Sequence, residues 1–242
     1  MLTVTIDRPD VRNAVDPQTA AALRDVFFNR FGADASMSVA VLTGAQGTFC
    51  AGFDLKALAR GESYGDLRGP GPMGPTRFLM SKPVIAAIEG YAVAGGLELA
   101  LWCDLRVAAS DATFGVFNRR FGVPLIDMGT VRLPRIVGQG RALDLILTGR
   151  PIHADEALRI GLVDRVVDPG HALAAAQKMA REIAAFPQAA LRADRMSVLV
   201  QWGVGEEEAA VEELESGLRA MESGEAQEGA RRFAEGEGRH GA

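Results

Sequence analysis

Three short apolar runs constrain this chain most: residues 38–43 (SVAVLT), residues 83–89 (PVIAAIE) and Leu105–Ala109 (LRVAA). Each has the length of a strand, and helical patterns lie between them. Strands separated by helices build βαβ units, so the expected fold class is α/β. Leu2–Ile6 alternates at period two and reads as a further strand. Asp16-Pro17 reads as a helix start, a capping carboxylate followed by proline at the first helical position. Leu23, Val26, Phe27 and Phe31 follow it at helical spacing.

In residues 61–75, eight of fifteen positions are Gly or Pro. That density defeats both helix and ladder, so a mobile surface loop is expected there. The loop holds a formal GxGxxG match, Gly69 to Gly74. It follows no strand, and its prolines lack the backbone donors a phosphate needs, so no dinucleotide site is expected. From Gly138 onward the texture is helical: residues 141–147, residues 155–160, Ala172–Ala185 and Glu206–Met221. Ala210, Val211, Leu214, Leu218 and Met221 share one stripe of the last helix, and the final thirty residues are polar and Gly-punctuated. The organisation expected is an α/β core over residues 1–190 and a helical region over residues 191–242.

The chain has 242 residues, 48% hydrophobic and 24% charged, which excludes disordered and fibrous classes. Two cysteines, Cys50 and Cys103, make no disulfide scaffold, and both are expected to be inert core residues. His153, His171 and His240 have no metal-ligand spacing, so no metal is expected and capping or surface roles are. A net charge of -5 argues against a nucleic-acid partner. No apolar run approaches the roughly 18 residues of a membrane helix. Residues 1–9 carry Asp7 and make no signal peptide, so the expected location is cytoplasmic.

Two glycine-marked junctions are the places for chemistry. The first, residues 48–55 (TFCAGFDL), follows SVAVLT. The second, residues 93–100 (VAGGLELA), follows PVIAAIE, and a helix restarts at Leu97. Backbone N–H groups at such a helix start are free and carry the positive dipole end. Two of them, from two loops, can converge on one carbonyl oxygen as an oxyanion hole.

Residues 82–100 (KPVIAAIEGYAVAGGLELA) resemble the enoyl-CoA hydratase/isomerase (crotonase) superfamily. So do TFCAGFDLK at 48–56, Arg8-Pro9 with Arg12-Asn13-Ala14, and Gly129-Thr130 to Pro134, Leu147-Thr148-Gly149 and Glu156 to Val163 in order. The resemblance implies a crotonase-like spiral of repeated ββα units with a helical C-terminal region. It implies an acyl-CoA thioester as substrate, coenzyme A being part of that substrate, with no separate cofactor. The thioester oxygen would be held by the amides of Phe53 and Gly95. Ala51, Phe53, Asp54, Leu55, Lys56, Gly95 and Gly96 would line the substrate, and Val11 and Arg12 would meet the distal CoA end. Glu98 matches the first of the two glutamates with which family hydratases hold and activate water.

The second glutamate has no match. Where family hydratases carry Gln-Pro-Glu after Thr113-Phe114-Gly115, this chain has Val116-Phe117-Asn118. An amide is no acid or base at neutral pH. Asp127 is the obvious substitute, with helix capping before Gly129-Thr130 as its other reading. Asn118 then orients substrate or is structural. Lys56, and Arg119-Arg120, are either solvated charges or CoA-phosphate contacts. Gly236 stands where relatives place a CoA-reaching lysine, with Arg239 as a compensating cation, and the family's first strand is expected to be absent or truncated.

The leading expectation is an enoyl-CoA hydratase, a lyase of fatty acid metabolism, with a modified acid/base pair. An isomerase or hydrolase on the same scaffold, or a non-catalytic acyl-CoA-binding or partner-binding protein, are the alternatives. A homotrimer or hexamer is expected, with Val211, Leu214 and Leu218 as either core or oligomer face.

Overall fold

A computed structural model of the chain describes residues 1–65 and 68–237. The chain separates into two compact units, Met1–Arg181 and Glu182–Ala242. The boundary falls earlier than residue 190.

The first unit opens with β1 (Leu2–Ile6), α1 (Pro17–Asp25), β2 (Ala40–Gly44) and α2 (Leu55–Ala59). Next come β3 (Val84–Ile88), β4 (Tyr91–Val93), α3 (Gly95–Trp102), β5 (Leu105–Ala109) and β6 (Thr113–Gly115). It continues with α4 (Gly129–Val137), α5 (Gln139–Thr148), β7 (Ile152–His153), α6 (Ala154–Arg159), β8 (Arg165–Val167) and α7 (Ala172–Ala185), which crosses the boundary.

The apolar runs form the central sheet, all parallel, in the order β1-β2-β3-β5-β8. Every residue of β3 is buried, as expected of a parallel strand covered on both faces. A second sheet, β4-β6-β7, joins β4 to β6 in parallel and β6 to β7 antiparallel. β2 and β3 are shorter than their apolar runs, starting at Ala40 and Val84.

α1 begins where expected: the Asp16 carboxylate accepts the Thr19 N–H at 2.8 Å, and Pro17 fills the first helical position. Beyond Asp25 the chain widens into a π-helical turn over Val26–Gly32, which buries Phe27 and Phe31. The Phe27 ring meets Trp102 edge-on at 4.8 Å and so ties this turn to α3.

The Gly/Pro-rich segment corrects the expectation of a mobile surface loop. Residues 61–63 are exposed, but residues 71–76 are completely buried. Gly and Pro exclude regular structure there without excluding packing. The Met73 N–H and the Thr76 hydroxyl both donate to the Asp127 carboxylate, and Gly74 lies against α1.

In the second unit α8 (Gln188–Val200), α9 (Glu206–Met221) and α10 (Glu225–Ala234) pack as a helical group. The Glu225 carboxylate caps α8, accepting the Gln188 and Ala189 N–H groups at 3.2 and 2.7 Å. Small residues of α9, among them Ala209, Gly217 and Ala220, are its half-buried side. The apolar stripe is exposed, Leu214 at 62%. It is therefore no core of this helical group. Sequence reading missed α8 and α10. Arg239 and His240 lie outside the described residues.

Candidate active site

Both glycine-marked junctions open on one cavity of about 370 Å³ within the first unit. The loop after β2 is bound to β4 by two hydrogen bonds, Cys50 N–H to Tyr91 O at 2.9 Å and Val93 N–H to Cys50 O at 3.2 Å. That pairing brings Phe53 beside the start of α3. Gly52 has φ +99°, and a Cβ there would sit 2.7 Å from the Gly95 nitrogen, so only glycine lets the loops approach this closely. A Cβ on Gly96 would overlap the Cys50 carbonyl.

Ala94 turns the chain into α3 with φ 53° and ψ -125°, the first corner of a type II′ turn. A non-glycine residue adopts this conformation at a cost of about 1–3 kcal/mol, which the surrounding packing must offset. Ala94 N–H donates to Gly115 O at 2.9 Å and Glu98 N–H returns to Ala94 O at 3.2 Å. The Gly95 N–H, in the first turn, has no intrahelical acceptor. Neither it nor the Phe53 N–H has an acceptor among the described residues.

α3 is buried over all eight residues, so Glu98 sits on no solvated face. Its Oε1 accepts the Asp127 N–H at 2.8 Å and the Gly129 N–H at 2.9 Å, at the start of α4. Gly129 is glycine because a Cβ would come within 2.8 Å of Oε1. Oε2 makes no hydrogen bond among the described residues. Burial, then the nearby Asp127 charge, pushes the Glu98 carboxyl up to about 7, against the donors from Gly129 and Asp127. Burial raises Asp127 as well.

Asp127 is no helix cap. α4 starts after Met128, which has φ 72° and no side-chain cap. The Asp127 side chain turns the other way, its Oδ1 accepting from Thr76 and, at 3.0 Å, from the Met73 N–H. Its Oδ2 makes no hydrogen bond among the described residues. Two carboxylates, linked through the Asp127 backbone, therefore face one cavity. The half-buried Arg132 lies beside both, its guanidinium 3.3 Å from the Asp127 carbonyl oxygen.

Phe53, Gly95, Glu98, Asn118 and Asp127 all line this cavity, as do Ala51 and Leu55. The remaining expected substrate contacts lie off its wall. Asp54 is consumed by the scaffold: buried, it caps α2 through the Lys56 and Ala57 N–H groups and pairs with Arg8 at 3.1 Å. Gly96 packs on the Cys50 backbone, and Lys56 is exposed on α2. Val11 ends a 3₁₀ turn, and the Arg12 guanidinium rests 5.5 Å from the Tyr91 ring centre. Arg119 and Arg120 reach back to the Ile146 and Gly149 carbonyls. Cys50 is fully buried, its thiol pushed up to about 12 by burial. Among the described residues no group of three His, Cys, Asp or Glu is placed to hold a metal ion, and no helix is long and apolar enough to cross a membrane.

Tyr64, Met73, Phe117 and Phe121 also line the wall and were missed in the sequence. Tyr64 stacks on Phe53 at 3.8 Å and donates to Val15 O at 3.0 Å. No local motif marks such residues.

The enoyl-CoA hydratase/isomerase family model matches residues 1–240. The chain belongs to this family. A Mycobacterium tuberculosis enoyl-CoA hydratase is 37% identical, covering 97% of this chain and 90% of its own length. Carnitinyl-CoA dehydratase of Escherichia coli K12 is 41% identical over 76% of this chain and 70% of the relative. The solved structure of an enoyl-CoA hydratase from Mycobacterium marinum superposes with a TM-score of 0.91 at 40% identity, covering 97% of this chain and 92% of that one. The parallel sheet, the buried α3 and the helical C-terminal region are thus the crotonase fold, in a family of acyl-CoA hydratases and dehydratases.

Proposed function

We propose that this chain is an enoyl-CoA hydratase, adding water across the 2,3 double bond of an enoyl-CoA, with Glu98 and Asp127 as its acid/base pair. One observation carries the reading: two carboxylates with raised proton affinity line the same apolar cavity as two unpaired backbone N–H groups. The Phe53 and Gly95 amides form the oxyanion hole for the thioester oxygen. Between its two titrations the pair holds one proton. The ionised member takes a proton from water, and the oxygen adds to C3. The electron pair moves onto the thioester oxygen. The protonated member then gives its proton to C2 as the carbonyl re-forms. In the reverse direction the same groups dehydrate a 3-hydroxyacyl-CoA.

The test is incubation with trans-2-hexenoyl-CoA. Loss of the conjugated thioester absorbance with gain of one water in mass is expected. A rearranged double bond at constant mass would make the chain an isomerase, and release of the CoA thiol a hydrolase. For the oxyanion hole, ¹³C-carbonyl hexanoyl-CoA should show a downfield shift on binding. Binding without that shift would remove Phe53 and Gly95 from the role.

The exposed Val211, Leu214, Leu218 and Met221 stripe supports a homotrimer or hexamer, since such a face otherwise stays against water. Light scattering at micromolar concentration is expected to give three or six chains. A monomeric mass refutes this.

A further inference from the structure

We infer that Asn118 and the aromatic wall around it form a subsite for an acyl chain that bears a hydroxyl group beyond C3. This deepens the acyl-CoA reading above and rests on it. Asn118 is 7% exposed and lines the cavity. Its Nδ2 donates to the Val123 carbonyl at 2.7 Å, which fixes how the amide faces, since a flipped amide would set oxygen against oxygen. The remaining atom, Oδ1, is buried without a hydrogen-bond partner.

Buried acceptors are overwhelmingly paired, so an unpaired one on a cavity-lining residue calls for a donor from outside the chain. The neighbouring cations do not supply it. Arg119 donates to Ile146 O at 3.2 Å, and Arg120 donates to Gly149 O at 3.1 Å and lies over the Phe117 ring. Phe117, Phe121, Val123 and Pro124 make the surroundings apolar. A neutral hydroxyl sheds its water there at far lower cost than an ammonium group. The cavity, at about 370 Å³, is more than a four-carbon acyl group fills.

Calorimetric titration of the intact protein with hexanoyl-CoA and its 4-, 5- and 6-hydroxy forms tests the subsite. One hydroxylated form is expected to bind about three- to tenfold more tightly than hexanoyl-CoA, the span of a net hydrogen bond. Asn118→Leu, close in shape and without the acceptor, should bring that ratio to about one. Four equal affinities in the wild type, as a water resident on Oδ1 would give, overturn the subsite whether or not the variant folds. A preference that survives Asn118→Leu overturns the assignment to Asn118. Hydration of trans-2-hexenoyl-CoA is measured beside it. A hydroxyl preference without hydration overturns the hydratase reading alone, and no binding of any acyl-CoA overturns both.

Discussion

Glu98→Gln is expected to lower turnover of an enoyl-CoA by about 10²–10⁴-fold, the usual contribution of a positioned acid/base group, while raising Tm at pH 8. Gln keeps an Oε1 that accepts from the Asp127 and Gly129 N–H groups, so the start of α4 stays anchored. What it removes is a buried ionisation. The Glu98 carboxyl rises from 4.5 to about 7 on burial beside Asp127. At about 1.4 kcal/mol per pH unit, keeping it ionised in the fold costs on the order of 3 kcal/mol. Folding raises this proton affinity, so the linked stability is complete below about pH 4.5. It is lost as pH rises through about 7. The gain of the variant over the wild type should therefore be small at pH 5 and reach several degrees at pH 8 by calorimetry. Full activity in the variant, or a Tm gain independent of pH, would remove Glu98 from the role.

The same environment explains what was legible in the sequence. Ala172–Ala185 and Glu206–Met221 were readable because each shows its own period over enough residues, and Leu105–Ala109 because it is a short apolar run. β4, β6, β7 and β8 have two or three residues each, too short to carry a period. Glu98 was visible because every neighbour on its helix is apolar, a local fact. The partners that decide its chemistry are not local. Asp127 is 29 residues away and Thr76 a further 51 from Asp127, and both contacts come from how the loops fold back. Burial of residues 71–76 was hidden for a similar reason. Their composition reports missing regular structure, whereas their packing comes from the carboxylate on which they dock. Asn118 was legible as a departure from Gln-Pro-Glu, but not its commitment to the Val123 carbonyl. A glutamate substituted there would lose that donor and face an oxygen.

Asp127→Asn separates catalysis from anchoring, because the amide keeps one and loses the other. Its Oδ1 still accepts from the Thr76 hydroxyl and the Met73 N–H, so the buried loop stays docked and Tm should move by only a degree or two. Its second atom can neither take nor give a proton at neutral pH. Turnover of trans-2-hexenoyl-CoA should then fall by about 10²-fold or more. Asp127→Ala should lose activity and stability together, since it leaves two buried donors unpaired at about 1–3 kcal/mol each. Were Asp127 an anchor alone, Asp127→Asn would turn over near the wild-type rate and Asp127→Ala would fail through its lower Tm. The pH dependence supplies a second, independent sign. The Asp127 charge is the largest influence after burial holding the Glu98 carboxyl up near 7. Neutralising it lets Glu98 ionise more readily, so the residual activity of Asp127→Asn should show its Glu98 titration below that of the wild type. An unmoved titration would mean that the two carboxylates do not share one electrostatic site, and the paired mechanism would fall with it.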